Sequence, residues 1–174
     1  MLRTPRLDLI AGNLEHIDAE LAEPNRIGAL LGVTVPEGWP PGEFDRQAMV
    51  YFRSRLAAGD PGQAGWFHWY GIARGAGEGP GTLVVAAGYF GPPENGRVEI
   101  GYSVVPSARR QGYATEMVAA LVERALAEPS VMEVVAHTTD ANGASTRVLL
   151  GCGFQRVGPG AEPGTILYQR NRTE

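Results

Sequence analysis

The stretch VEIGYSVVPSARRQGYAT, residues 98–115, restricts what this chain can fold into more than any other, because it runs from a strand through a Pro-Ser-Ala-Arg-Arg turn directly into a helix. The turn suits an anion. Arg109 and Arg110 bring positive charge, and Gly112 lets the backbone come close with no side chain in the way. Residues 114–127 follow with helical character, so the first unpaired N–H groups and the positive end of the helix dipole point into the turn. The combination reads as a pyrophosphate site at a strand-to-helix junction.

The chain has 174 residues, enough to bury a substantial core without a disulfide or a structural metal, and is expected to form a single domain over residues 1–174, as a monomer or homodimer. Cys152 is the only cysteine, which excludes an internal disulfide and a zinc site built on cysteines; it reads as a small buried side chain. A formal net charge of -4 and a pI of about 5.4 argue against a general nucleic-acid binder and favour a small ligand or a cationic substrate. No apolar run approaches the roughly 18 to 20 residues of a membrane span, and the start MLRTPRLDLI lacks a signal-peptide core. The expected location is the cytoplasm, with no membrane partner. All 15 basic residues are arginine, which we attribute to codon composition.

Along the chain, residues 6–10 alternate as a short strand, and Asn13 stands as N-cap for a helix over residues 14–21. Residues 23–41 carry too many Pro and Gly for one long element and are expected to form a shaped loop with one helical turn near residues 27–31. Phe44, Met49, Phe52 and Leu56 recur at helical spacing over residues 43–56. Residues 66–73 read as a strand with Trp66, His68 and Tyr70 on one face and Phe67, Trp69 and Gly71 on the other. Turns at residues 74–81 and 91–96 make it the first of three antiparallel strands, the second over residues 82–90 and the third from Arg97. After the helix, residues 131–138 form a strand, and the strand-helix-strand order implies a right-handed crossover with locally parallel strands. A short helix over residues 144–150 and two last strands, residues 154–157 and 165–170, complete the chain.

Arg109-x-x-Gly112-x-Ala114 after a strand, and Asn142-x-x-Ser145 shortly before Gly151-x-Gly153-Phe154, resemble the GNAT superfamily of acetyl-CoA-dependent N-acetyltransferases over nearly the whole chain. The opening Leu2-Arg-Thr-Pro-Arg-Leu-Asp-Leu, the Glu99-Ile-Gly-Tyr strand and Gly112-Tyr-Ala-Thr-Glu116 are most similar to the branch with the ribosomal-protein-alanine N-acetyltransferases. The resemblance implies an α/β (α+β) fold, with a mixed, mostly antiparallel central sheet, a splayed strand pair and flanking helices. It also implies acetyl-CoA as cosubstrate, no metal, and an amine acceptor, either a protein N-terminus or a small molecule. The pyrophosphate would lie on the backbone of Arg109, Arg110, Gln111, Gly112, Tyr113, Ala114 and Thr115. The pantetheine arm would follow Val104 and Val105, where a splayed strand offers unpaired amides, with the acetyl carbonyl bonded to backbone near Val104. Asn142 either contacts pantetheine or N-caps the helix that follows, and both can hold.

For the chemistry, the resemblance places a general base at Glu99 or at His137, five residues before Asn142; the plain alternatives are a strand-face carboxylate paired with arginine and a structural histidine. The family's leaving-group tyrosine, seven residues after the asparagine, is Leu149 here. Ser145 is the substitute that could hydrogen-bond the thiolate, or else a small residue that lets the helix pack. Trp39, Trp66, Trp69 and Tyr70 either wall the acceptor pocket or fill core. Two other classes were weighed. A non-catalytic acyl-CoA-binding module is compatible with the missing tyrosine. A dinucleotide-binding oxidoreductase is not, because Arg156 stands where a third glycine belongs after Gly151-x-Gly153.

Overall fold

The computed structural model describes residues 1–42, 44–59, 61–75, 77 and 79–173. Its strands are β1 (Leu2–Arg3), β2 (Leu7–Ala11), β3 (His68–Ala73), β4 (Thr82–Tyr89), β5 (Arg97–Val104), β6 (Glu133–Thr139), β7 (Gln155–Pro159) and β8 (Thr165–Asn171). They form one sheet in the order β1-β2-β3-β4-β5-β6-β8-β7. Every neighbouring pair is antiparallel except β5 and β6, which the helix α4 (Tyr113–Ala127) connects as a parallel crossover. The mixed, mostly antiparallel α/β architecture is therefore present, and so is the splay. β5 pairs with β6 only at Arg97, Val98 and Glu99, while on its other edge it stays in register with β4 from Ile100 to Val104.

α4 explains which face of the sheet is which. Met117, Val118, Leu121, Val122 and Ala125 recur at helical spacing and are fully buried. Gly71 is required beneath them, since a Cβ there would lie 2.8 Å from Met117 Sδ. Gly71 is opposite Val85, and Val85 is opposite Val104. Directly opposed residues share a face, so Val104 and, by alternation, Tyr102, Ile100 and Val98 point to the α4 side, and Glu99, Gly101 and Ser103 point away from it.

The other helices are α1 (Leu14–Ala22), α2 (Pro24–Leu31), α3 (Arg46–Ala58) and α5 (Gly143–Gly151). Asn13 caps α1 as expected, its side chain accepting the N–H of His16. The shaped loop contains more helix than the expected turn, because two of its breakers, Pro24 and Gly32, sit at the ends of α2 and Gly28 is accommodated inside it. Pro24 occupies the first turn, where a missing N–H costs nothing, and Gly32 ends α2 at φ 66°. α3 starts later than expected, at Arg46, since the Asp45 carboxylate accepts the N–H groups of Gln47 and Ala48; Glu43 lies outside the described residues. The strand expected from Trp66 begins only at His68, after a 3-10 segment at Pro61–Trp66. Trp66 consequently stacks on Arg124 of α4, on the same side as Trp69, while His68 and Tyr70 pack edge-to-face at 4.3 Å on the opposite side.

Candidate active site

Two cavities are lined by residues from the separated strands. On the α4 side, Tyr102, Val104, Arg109, Arg110, Gly112, Tyr113, Ala114, Thr115, Asn142 and Ser145 line a cavity of about 1130 Å³. Gly112 adopts φ 82° and Arg110 φ 60°, so the chain curls just before α4 and turns its amides inward. Among the described residues, no backbone N–H from 110 to 115 has a hydrogen-bond partner, whereas the next, Glu116, already bonds to Gly112 O at 3.1 Å. Those orphan donors, a helix dipole and two exposed guanidinium groups form an anion cradle.

The cradle is braced from the N-terminal segment. Arg6 donates from Nε to Glu116 at 2.7 Å and from Nη1 to Gln111 O at 2.8 Å, and its guanidinium lies 4.7 Å from the Tyr113 ring centre. Glu116 also accepts from Thr4 Oγ1 at 2.5 Å and from the Arg6 N–H at 2.7 Å. Partial burial alone would raise its carboxyl, but the bonds from Thr4 and Arg6 outweigh it and hold the group below the usual range. Gln111 itself lies outside the cavity lining, its side chain donating to Ser107 O at 3.1 Å.

Val104 and Val105 behave differently, which corrects their joint expectation. Val105 is fully buried and gives its N–H to Val84 O at 3.0 Å, so it offers no unpaired amide. Phe90 N–H bonds to Glu99 O at 3.1 Å in the same ladder. Antiparallel alternation then points the N–H groups of Ile100, Tyr102 and Val104 toward β6; the Glu99–Val135 pairing uses that of Ile100, and those of Tyr102 and Val104 lie beyond the point where β6 diverges. Among the described residues, Val104 N–H has no hydrogen-bond partner at the strand end.

Asn142 caps α5, accepting Ser145 N–H at 3.1 Å, while also lining the cavity. Leu149 is fully buried and does not line the cavity; its neighbours Arg147 and Val148 do, and neither carries a hydroxyl. A phenol arrives instead from β5, a residue sequence reasoning missed. Tyr102 Oη lies 2.8 Å from Ser145 Oγ and 3.1 Å from Ser145 O. Burial pushes its pKa up to about 12 despite the bond from Ser145, so the phenol stays protonated at neutral pH. The alternation that puts Tyr102 on the α4 face was the available signal.

On the opposite side, Glu99 and His137 lie in a cavity of about 860 Å³ with Tyr51 and Arg55 of α3, Phe90, the turn after β4, Ala161 and Leu167. His137 Nδ1 is 2.7 Å from Glu99 Oε1. The two residues weighed as rival bases are thus one hydrogen-bonded pair at the point where β5 and β6 part, and Glu99 pairs with a histidine rather than an arginine. At the cavity wall Arg97 binds Glu133 at 2.5 Å. Trp39, Trp66, Trp69 and Tyr70 line neither cavity. Trp39 and Tyr70 donate to the buried Glu20 carboxylate at 2.9 and 2.7 Å, and Trp66 and Trp69 flank Arg124; they are core. Among the described residues no three His, Cys, Asp or Glu side chains gather as a metal site would need, and no helix is long and apolar enough to cross a membrane.

Comparison with known proteins identifies the family to which the fold belongs. The uncharacterized N-acetyltransferase YjdG of Bacillus subtilis (strain 168) is 30% identical over 155 residues, 88% of this chain and 89% of that protein. The fold matches the ribosomal-protein alpha-N acetyltransferase RimL in complex with coenzyme A at a TM-score of 0.63 and 17% identity, covering 97% of this chain and 95% of that one. It also matches the microcin self-immunity acetyltransferase MccE, in complex with acetyl-CoA and AMP, at a TM-score of 0.62 and 15% identity, covering 96% and 93%. Residues 20–155 match the family described as acetyltransferase (GNAT) domain. The chain therefore belongs to the GNAT acetyltransferases and is an acetyl-CoA-dependent N-acetyltransferase.

Proposed function

We propose that the acetyl group passes by direct attack of a primary amine in a ternary complex, with acetyl-CoA on the α4 side of the splay and the amine reaching it from the Glu99–His137 side. The observation that carries this reading is the pair of cavities around β5, one on the α4 side lined by Tyr102 and Val104 of its splayed half with α4 and α5 residues, the other lined by Glu99 with Val135 and His137 of β6 where the two strands part. The diphosphate lies on the free N–H groups of residues 110–115, with Arg109 and Arg110 as counter-charges. Val104 N–H donates to the thioester carbonyl and strengthens that bond as negative charge develops on the oxygen. The nitrogen lone pair forms the C–N bond, and collapse of the tetrahedral adduct breaks the C–S bond. The proton lost by nitrogen passes to the Glu99–His137 pair, and CoA leaves as thiolate beside Ser145.

The acceptor is a primary amine, of a protein N-terminus or a small molecule. Residues 23–41, whose shape was to distinguish an open groove from a closed pocket, do not line the Glu99–His137 cavity; its rim is formed by half-exposed Tyr51 and Phe90. Calorimetry with acetyl-CoA tests the donor site: Gly112→Glu should weaken binding at least about tenfold, by blocking the cradle and repelling phosphate. An undiminished affinity would put the donor elsewhere. Thiol release measured with panels of peptides and of small amines then assigns the acceptor.

A further inference from the structure

The proton-donor side of the reaction lacks its expected residue, since Leu149 is buried where a tyrosine would stand. The cavity nevertheless contains two hydroxyls in contact, from different elements. Tyr102 comes from the splayed half of β5 and Ser145 from the first turn of α5, with oxygens 2.8 Å apart. A phenol has one proton to give and a serine hydroxyl has one, so their direction decides what they can do. Without a ligand, Tyr102 donates to Ser145 O, 3.1 Å away, and Ser145 Oγ–H turns to the phenol oxygen. The opposite order is equally open to the pair, because either oxygen can donate across the 2.8 Å contact. In that order Tyr102 O–H donates to Ser145 Oγ, and Ser145 O–H is released toward the cavity.

We propose that Tyr102 is a positioning residue that aims the Ser145 hydroxyl at the departing CoA sulfur, so that a two-hydroxyl chain running from β5 to α5 stabilises the thiolate in place of the missing tyrosine. The inference rests on the donor placement proposed above. No net proton transfer occurs along the chain: C–S cleavage leaves the electron pair on sulfur, two hydrogen bonds shift direction, and the thiolate takes its proton later from solvent. This matches a phenol that burial keeps protonated well above the range of a thiol. Each hydroxyl in such a chain polarises the next, so removing the far one weakens the near one.

The test requires no knowledge of the acceptor. CoA is bound to the wild type, to Tyr102→Phe and to Ser145→Ala, its affinity is measured by calorimetry, and its thiol is titrated by the ultraviolet absorbance of the thiolate. The bound thiol should ionise about one pH unit lower in the wild type than in either variant, because a directed hydroxyl favours the charged form. CoA affinity at a pH where the thiol is neutral should stay within about twofold, since Tyr102 touches no phosphate, and far-ultraviolet circular dichroism checks that the variants fold. Tight CoA binding with the same thiol ionisation in all three proteins would overturn the role of Tyr102 and leave the donor site standing. A shift in Ser145→Ala but not in Tyr102→Phe would overturn the chain and leave serine alone. No CoA binding by the wild type would remove both readings.

Discussion

At the scale of single residues, the hydrogen bond between Glu99 and His137 changes what mutagenesis should return. Two independent bases would give multiplicative losses. A shared unit does not: Glu99→Gln and His137→Ala should each lower kcat with the preferred amine about 10²-fold or more, and the double variant should lose little beyond the worse single. Multiplying losses would show that the 2.7 Å contact is incidental. His68 is a second case. It is fully buried, neither ring nitrogen has a partner among the described residues, and burial depresses its pKa to about 3. The unfolded chain binds its proton near pH 6.5, so this histidine's contribution is complete above that pH and is lost as pH falls toward 3. Partly buried His16, in edge contact with Tyr70, acts in the same direction, while buried Glu20, whose carboxyl is raised, adds an opposite contribution above its ordinary range. Between pH 6.5 and 5 the His68 contribution falls by ~2 kcal/mol, or about 4–8 °C in Tm. Thermal unfolding should show that loss in the wild type and much less of it in His68→Leu; equal slopes would exonerate His68. Sequence reading named Glu99 and His137 as separate candidates and could not join them, since contact needed β6 to lie beside β5. It missed Tyr102 because nothing local marks a strand tyrosine as facing α5.

Among elements, the N-terminal segment contributes more than an edge strand. Its Arg6 bonds to both ends of the anion cradle, the carbonyl of Gln111 and the carboxylate of Glu116. Loss of these ties would let the N–H groups diverge and weaken the proposed hold on a diphosphate. Arg6→Ala should weaken acetyl-CoA binding about three- to tenfold with kcat little changed, and Arg6→Lys should restore little, because an ammonium cannot span both acceptors as a guanidinium does. Full affinity in Arg6→Ala would make the brace ornamental. The periodicity of α4, the cap at Asn13 and the turns around β4 were all legible, since each depends on neighbours in the chain. α2 was under-read because Pro24 and Gly32 look alike as breakers until one knows that they fall at its two ends. The start of β3 was over-read because Trp66 and Phe67 carry strand propensity, yet packing on Arg124 holds Trp66 in a 3-10 turn.

For the molecule as a whole, the parting of β5 from β6 leaves backbone donors free inside a sheet, which is costly unless something comes to use them. Hydrogen exchange should therefore be rapid at Tyr102, Val104 and residues 110–115 in the free protein and slow many-fold on CoA addition, while Val105, bonded to Val84, remains protected throughout. Unchanged exchange across that segment would remove the ligand from the splay. The same parting has a kinetic corollary. In the proposed arrangement thioester and nucleophile would approach through separate doorways, so neither would obstruct the other and no compulsory sequence of arrival is expected. Initial-rate plots should intersect, and a dead-end analogue of either reactant should compete only with its own counterpart.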